Sequence, residues 1–274
     1  MRRIVRAAAI AGFVLQSAGH ALAQAPVAAP QVVPPGTLAA APSGPASAMV
    51  DQPCALPRNA QNDWPALCRY QRANRQLAAP PRVVMIGDSI TEWWLTTSPG
   101  MFAGGIVDRG IAGQTSPQIL LRFYQDVVRL KPRVVHIMCG TNDVAGNTGP
   151  TSPEEYTNAI RAMVDLAQAN GIAVVIGSVL PAGAFNWRAG YRPAGQIVAL
   201  NVWLRDFARL RGAAYADYHG AMTDPQGAMK PGLSSDGVHP NAAGYAVMEP
   251  IARAAIAEAL KPAPQTAPGT PRTR

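Results

Sequence analysis

The chain has 274 residues, of which 48% are hydrophobic and 15% charged, and a formal net charge of +8. That length makes one or two domains. Three of the cations lie in the first six residues, and the +5 left without them is spread over scattered arginines and the tail with no dense basic stripe, which argues against nucleic-acid binding.

Residues 1–23 read as a secretory signal peptide. Arg2, Arg3 and Arg6 form the basic start, residues 7–15 an apolar stretch, and Ala21-Leu22-Ala23 the small-residue cleavage site. The apolar stretch is too short to span a bilayer, and no later segment is apolar enough to do so. The expectation is an exported protein without a transmembrane segment, periplasmic or released. Residues 24–57, rich in Ala and Pro, read as an extended linker. In an oxidising compartment Cys54 and Cys68 are expected to pair, leaving Cys139 as a buried thiol. The cysteine spacing matches no zinc site, so no metal is expected.

The folded domain is expected over residues 58–260, with a disordered tail over 261–274. Its first part, residues 62–77, reads as a helix anchored by Trp64, Leu67 and Tyr70. From residue 82 onward short apolar runs alternate with helical patterns, the mark of an α/β fold with a mostly parallel sheet. Strands are predicted over 82–86, 106–108, 134–138, 173–177 and 213–216. Helices are predicted over 117–130, capped by Ser116, and from Ser152-Pro153 with Glu155 closing a capping box. The latter carries Tyr156, Ile160, Met163, Val164 and Ala167 as its core stripe, and Gly171 ends it. A loop over 181–193 leads to a helix through Leu200, Trp203, Leu204 and Phe207. Asn241 opens the last helical region, which Pro250 is expected to kink or divide.

Gly87-Asp88-Ser89 closes the first strand. A serine there sits at the carboxyl edge of the sheet, where α/β folds bind ligands, and a helix starting nearby offers it free N–H groups. Taken alone, the tripeptide is a helix-capping turn as readily as a nucleophile. A serine hydroxyl needs a base. Among the four histidines, His20 leaves with the leader, His136 sits inside a strand as a structural residue, and His219 lies in an undistinguished loop. His239 follows Asp236 by three residues, close enough for the carboxylate to hold the imidazole in one tautomer. Donors for an oxyanion are offered after strand two, by the glycines of Gly110-Ile111-Ala112-Gly113, and after strand three, by Asn142 in Gly140-Thr141-Asn142-Asp143.

These four blocks in order, Gly87-Asp88-Ser89, Gly113, Gly140-Thr141-Asn142-Asp143 and Asp236-Gly237-Val238-His239-Pro240, resemble those of the GDSL-type SGNH hydrolases over residues 82–260. The resemblance implies a flavodoxin-like α/β/α sandwich with a five-stranded parallel sheet in the order 2-1-3-4-5. It implies Ser89 as nucleophile, His239 as base and Asp236 as its orienter. The oxyanion hole would be the Ser89 N–H, the Gly113 N–H and the Asn142 side chain. The implied chemistry is two-step ester hydrolysis through an acyl-serine, with no metal or organic cofactor. Ile90 stands where the family's name has Leu, and Asp108 stands where many members have Asn.

Specificity is weakly encoded. Trp93 and Trp94 follow the serine, one expected in the cleft and the other in the core. The loop over 181–193 carries Phe185, Trp187, Arg188, Tyr191 and Arg192, of which Trp187, Arg188 and Tyr191 are candidate substrate contacts able to stack on rings or meet acidic groups. The expected substrate is a small-molecule or carbohydrate ester with a short acyl group such as acetyl. Cleavage of lysophospholipids or other long-chain esters, and acyl transfer to a sugar hydroxyl, use the same serine. The sequence leaves the oligomeric state open.

Overall fold

A strand whose residues are all apolar must be covered on both faces, and a parallel sheet between two helical layers achieves this. In a computed structural model, which describes Cys54 and residues 62–261, the sheet has five strands. They are β1 (Val83–Gly87), β2 (Ile106–Gly110), β3 (Val134–Met138), β4 (Ala173–Gly177) and β5 (Ala214–Ala216). All neighbours pair in parallel, in the order β2-β1-β3-β4-β5. The chain order therefore reverses between β1 and β3, the switch point at which flavodoxin-like folds open a crevice beyond the strand ends. Residues 1–23, where a signal peptide is expected, and nearly all of the expected linker and tail lie outside the described residues.

Side chains alternate between the two layers. Val84 and Ile86 of β1, Val135 and Ile137 of β3, and Val174 and Ile176 of β4 face one core. That core is completed by α3 (Ser116–Asp126), α5 (Pro153–Ala169) and α6 (Ala194–Leu210). Val83, Met85, Val134, Met138 and Val175 face the other core. There they meet Trp94 of α2 (Ser89–Thr97), Tyr218 and Met222 of α7 (Tyr218–Met222), and Tyr245 and Met248 of α8 (Ala242–Ala259). His136 of β3 lies in this second layer, fully buried, with Nε2 2.7 Å from the Tyr218 hydroxyl. Burial pushes its pKa down to about 4, which keeps the ring neutral near neutral pH. His219 belongs to α7 rather than to a loop.

Local signals account for the helix ends. The Ser152 hydroxyl accepts from the Glu155 N–H, and the Glu155 carboxylate accepts from the Ser152 N–H at 2.7 Å, so α5 starts one residue later, at Pro153. At α3 the cap is Thr115, with Gln118 closing the box, instead of Ser116. That helix stops at Asp126, and a single 3-10 turn follows over Val128–Leu130. Pro250 does not divide α8, which runs unbroken through it. Tyr245 and Met248 before the proline and Ala252, Ala255 and Ile256 after it all bury in the same core, and that packing offsets the cost of a proline inside a helix, about 3 kcal/mol for the lost hydrogen bond and the ring clash together.

Residues 62–77 differ most from expectation. Only α1 (Gln71–Arg75) is helical, and Trp64 and Leu67 are exposed rather than buried anchors, while Tyr70 is half-buried. Ala66 takes a left-handed φ of 55°, which ends any helix there. The segment is held by tertiary bonds instead. Side-chain amides of Gln118, Gln114 and Gln125 donate to the carbonyls of Trp64, Pro65 and Leu67. Cys54 and Cys68 form a disulfide, with Cα atoms 5.5 Å apart, and Cys139 is a buried free thiol. Among the described residues no helix is long and apolar enough to cross a membrane.

Candidate active site

Ser89 is the first residue of α2, directly beyond β1, and is 5% exposed. Asp88 caps that helix, its carboxylate accepting the Ile90 N–H at 2.9 Å, so the turn is a helix cap and also presents the serine. Burial pushes Asp88 up to about 7, against the pull of that bond. The helix can pass this close to β2 only because residue 110 is glycine. A Cβ there would lie 2.2 Å from the Glu92 N atom. The loop beyond β2 then turns at Gly113, whose φ of 79° favours glycine. Neither the Ser89 nor the Gly113 N–H has a hydrogen-bond partner among the described residues. Beyond β3, Asn142 lies in α4 (Thr141–Ala145), a five-residue helix too short for sequence periodicity to reveal. Its Nδ2 donates one hydrogen to the Gln114 carbonyl at 3.0 Å, leaving the second without a partner there.

His239 closes the arrangement from the segment between α7 and α8. Its Nε2 is 3.0 Å from the Ser89 hydroxyl oxygen, and its Nδ1 is 2.7 Å from Asp236 Oδ2. Asp236 Oδ1 accepts from the Ser234 hydroxyl and from the N–H groups of Val238 and His239, all within 2.8–2.9 Å. Burial works to raise the pKa of Asp236. The bonds from the His239 ring, the two N–H groups and Ser234 outweigh it and bring the carboxyl down to about 2. It is thus ionised near neutral pH.

A model of the GDSL-like lipase/acylhydrolase family matches residues 85–247, more than half of the chain. The chain belongs to that family. It is an acylhydrolase-type enzyme with the family's fold. Among solved structures, a candidate acylhydrolase of Bacteroides fragilis is 41% identical with a TM-score of 0.71, covering 73% of this chain and 99% of its own. A GDSL-like lipase of Bacteroides thetaiotaomicron is likewise 41% identical, with a TM-score of 0.70 and coverages of 72% and 100%. An acetylxylan esterase of Geobacillus stearothermophilus shares the fold at 20% identity, with a TM-score of 0.51 over 65% of this chain and 94% of its own. No match was found among curated proteins.

In this member of the GDSL-like family the strand ends are tied together by Asp143 of the third motif block and by two residues outside the blocks, Arg122 and Glu92. Arg122 of α3 is fully buried. It donates to the carbonyls of Gly87 and Arg109, to the Gln114 side chain and to Asp126, so one guanidinium joins the ends of β1 and β2. Asp143 accepts the N–H and hydroxyl of Ser116, tying the segment beyond β3 to the start of α3. Glu92 accepts from Ala112 N–H and pairs with Arg69 at 2.6 Å. A sequence signal for Arg122 exists: it shares a helical stripe with Ile119, Phe123 and Asp126, a charge on the face that must be buried.

The four candidate substrate contacts separate into two pairs. Trp93 and Trp187 are 42% and 47% exposed, with ring centroids 4.4 and 6.4 Å from the His239 ring, so the two indoles flank the imidazole. Trp94 is buried against Tyr245, so one tryptophan of the pair faces the cleft and the other the core. Arg188 donates to the carbonyls of Val144 and Ala145 and covers the Tyr191 ring at 4.0 Å. Both line a cavity of about 630 Å³ with Ser152, Glu155 and Gln196; Ser89 and His239 are not part of its lining. Among the described residues no group of three or more His, Cys, Asp or Glu side chains is placed to hold a metal ion.

Proposed function

We propose that this chain is an exported serine esterase that removes short acyl groups, chiefly acetyl, from small-molecule or carbohydrate esters. The observation that carries the reading is the unbroken line from Ser89 through His239 to Asp236, with contacts of 3.0 and 2.7 Å. His239 Nε2 takes the hydroxyl proton as Ser89 attacks the ester carbonyl. Asp236 holds the other ring nitrogen in its protonated form and stabilises the imidazolium. The N–H groups of Ser89 and Gly113 and the free hydrogen of Asn142 stabilise the oxyanion. The alcohol leaves with the proton from His239, and water attacks the acyl-serine by the same route. The exposed indoles of Trp93 and Trp187 beside the imidazole favour a ring-bearing alcohol such as a sugar. Export is supported by the basic and apolar leader over residues 1–23 and by the Cys54–Cys68 pair, which fits an oxidising compartment.

The test is fluorophosphonate labelling followed by mass spectrometry, with p-nitrophenyl acetate hydrolysis on the same sample. Label at Ser89, loss of turnover on labelling, and an inert but folded Ser89→Ala are expected. Undiminished turnover in Ser89→Ala would overturn the assignment. Acetylated oligosaccharides are expected to outperform long-chain esters in a substrate panel, and the reverse order would overturn the substrate class.

A further inference from the structure

A carboxamide has a donor end and an acceptor end, and only the donor end can stabilise an oxyanion. Which end of Asn142 is offered to the substrate is fixed by what holds the rest of that amide. The holding begins at the loop over residues 181–193. The Trp187 indole can only donate, and its Nε1–H is 2.9 Å from Asn147 Oδ1. The acceptor end of Asn147 is thereby used, and its Nδ2 donates to Asn142 Oδ1 at 2.6 Å. That turns the Asn142 Nδ2 the other way, where the Gln114 carbonyl, which can only accept, takes one hydrogen at 3.0 Å. The relay starts on an obligate donor and ends on an obligate acceptor, so flipping either amide breaks bonds on both sides of it. Asn147 is also pinned by its backbone, whose N–H donates to the Asn142 carbonyl at 3.0 Å.

We propose that Asn147 is a positioning residue for ester hydrolysis. It locks the Asn142 amide with its donor end toward the oxyanion, and Trp187 locks Asn147 in turn. The proposal rests on the reading of Asn142 as an oxyanion donor. It gives the loop beyond β4 a part in turnover as well as in binding, because the exposed indole that flanks His239 is the same group that polarises the relay.

The experiment is a kinetic cycle with p-nitrophenyl acetate on the full-length mature protein, comparing Asn142→Ala, Asn147→Asp, the double variant and Trp187→Phe, with unfolding midpoints measured alongside. Asn147→Asp keeps size and shape and still accepts from Trp187, but it has no hydrogen for Asn142 Oδ1 and repels that oxygen. Asn142 is then expected to turn its oxygen toward the substrate. Asn142→Ala is expected to lower kcat by about 100- to 1,000-fold. Asn147→Asp should lower kcat by about 10- to 100-fold with KM within about twofold. The double variant should be no slower than Asn142→Ala, because the second change has nothing left to misplace. Trp187→Phe keeps a ring but removes the N–H, and should cost only a few-fold in kcat since Gln114 still orients the relay. An unchanged kcat in Asn147→Asp beside an impaired Asn142→Ala would overturn the relay and leave the oxyanion reading standing. Fully multiplicative losses in the double variant would also overturn the relay. An unimpaired Asn142→Ala would remove the oxyanion reading and the relay with it. Asn147→Ala carries the same cycle should Asn147→Asp not fold.

Discussion

The two halves of the candidate site are built by opposite means. Ser89, Gly113 and Asn142 come from three separate stretches of chain, brought together at the adjoining ends of β1, β2 and β3. Their side of the site is interior, with Ser89 and Asn142 each 5% exposed, and Arg122, Gln114 and Asp143 brace it from within. Asp236 and His239 stand three residues apart in one loop, with side chains 34% and 20% exposed. A single carboxylate organises that loop, accepting from Ser234, Val238 and both the backbone and the ring of His239. The strand-end half is therefore a consequence of the whole sheet, and the dyad is a local device. A change in the first should tax fold and chemistry together, and a change in the second should spare the fold.

Asp236→Asn puts the largest load on that contrast. An amide oxygen can still accept the N–H groups that shape the loop, but the amide presents the wrong partner to His239 Nδ1 and favours the wrong tautomer. A fall in kcat on the order of 10³- to 10⁴-fold is expected, with a thermal unfolding midpoint near that of the parent. A large drop in the midpoint would show that the dyad also carries the fold, and the contrast would collapse.

Arg122→Met is the converse. It removes a buried cation of similar length, takes from Asp126 its ion-pair partner, and removes one donor each from the Gly87 and Arg109 carbonyls and the Gln114 side chain. Breaking a buried pair from one side costs about 3–5 kcal/mol, which denaturant unfolding would register. The kcat should fall as well, because Gln114 supplies the carbonyl that holds Asn142. Lost activity at unchanged stability would place Arg122 with the dyad instead of with the sheet.

The same division separates what was legible in the sequence from what was not. Strands β3 and β4 and helix α5 were readable nearly to the residue, because unbroken apolar runs and the Ser152–Glu155 box act over a few neighbours. The Asp236–His239 pair was readable for the same reason, being local. Residues 62–77 were misread because their backbone carbonyls are taken by three glutamines some 50 residues away, a pairing with no periodic signature. Asn147 was equally hidden, since its partners stand 5 and 40 positions distant. Arg122 was visible only as a charge on an apolar stripe, which says that it is buried and not what it holds.

The smallest and most selective probe lies where β2 meets that misread segment. Asp108 is nearly buried, its Oδ1 accepting the Gly110 N–H at 2.8 Å and its Oδ2 lying 3.3 Å from the Tyr70 hydroxyl, which itself donates to the Gly110 carbonyl. Burial pushes its pKa up to about 7, against the bond from the Gly110 N–H. A carboxyl in the unfolded chain titrates near 4. Below that both states hold the proton and stability is flat. Between about 4 and 7 the unfolded chain releases its proton while the folded one keeps it, so this residue's contribution falls as pH rises, by roughly 1.4 kcal/mol for each pH unit. Above about 7 both are ionised and the loss is complete. Asn keeps an oxygen for Gly110 and a hydrogen for the Tyr70 oxygen, and it never ionises. The difference in unfolding free energy between Asp108→Asn and the parent should therefore grow in favour of the variant from pH 4 to pH 8. Parallel stability curves across that range would mean that the strand-end half tolerates a buried charge at β2, and that its sensitivity resides in Arg122 alone.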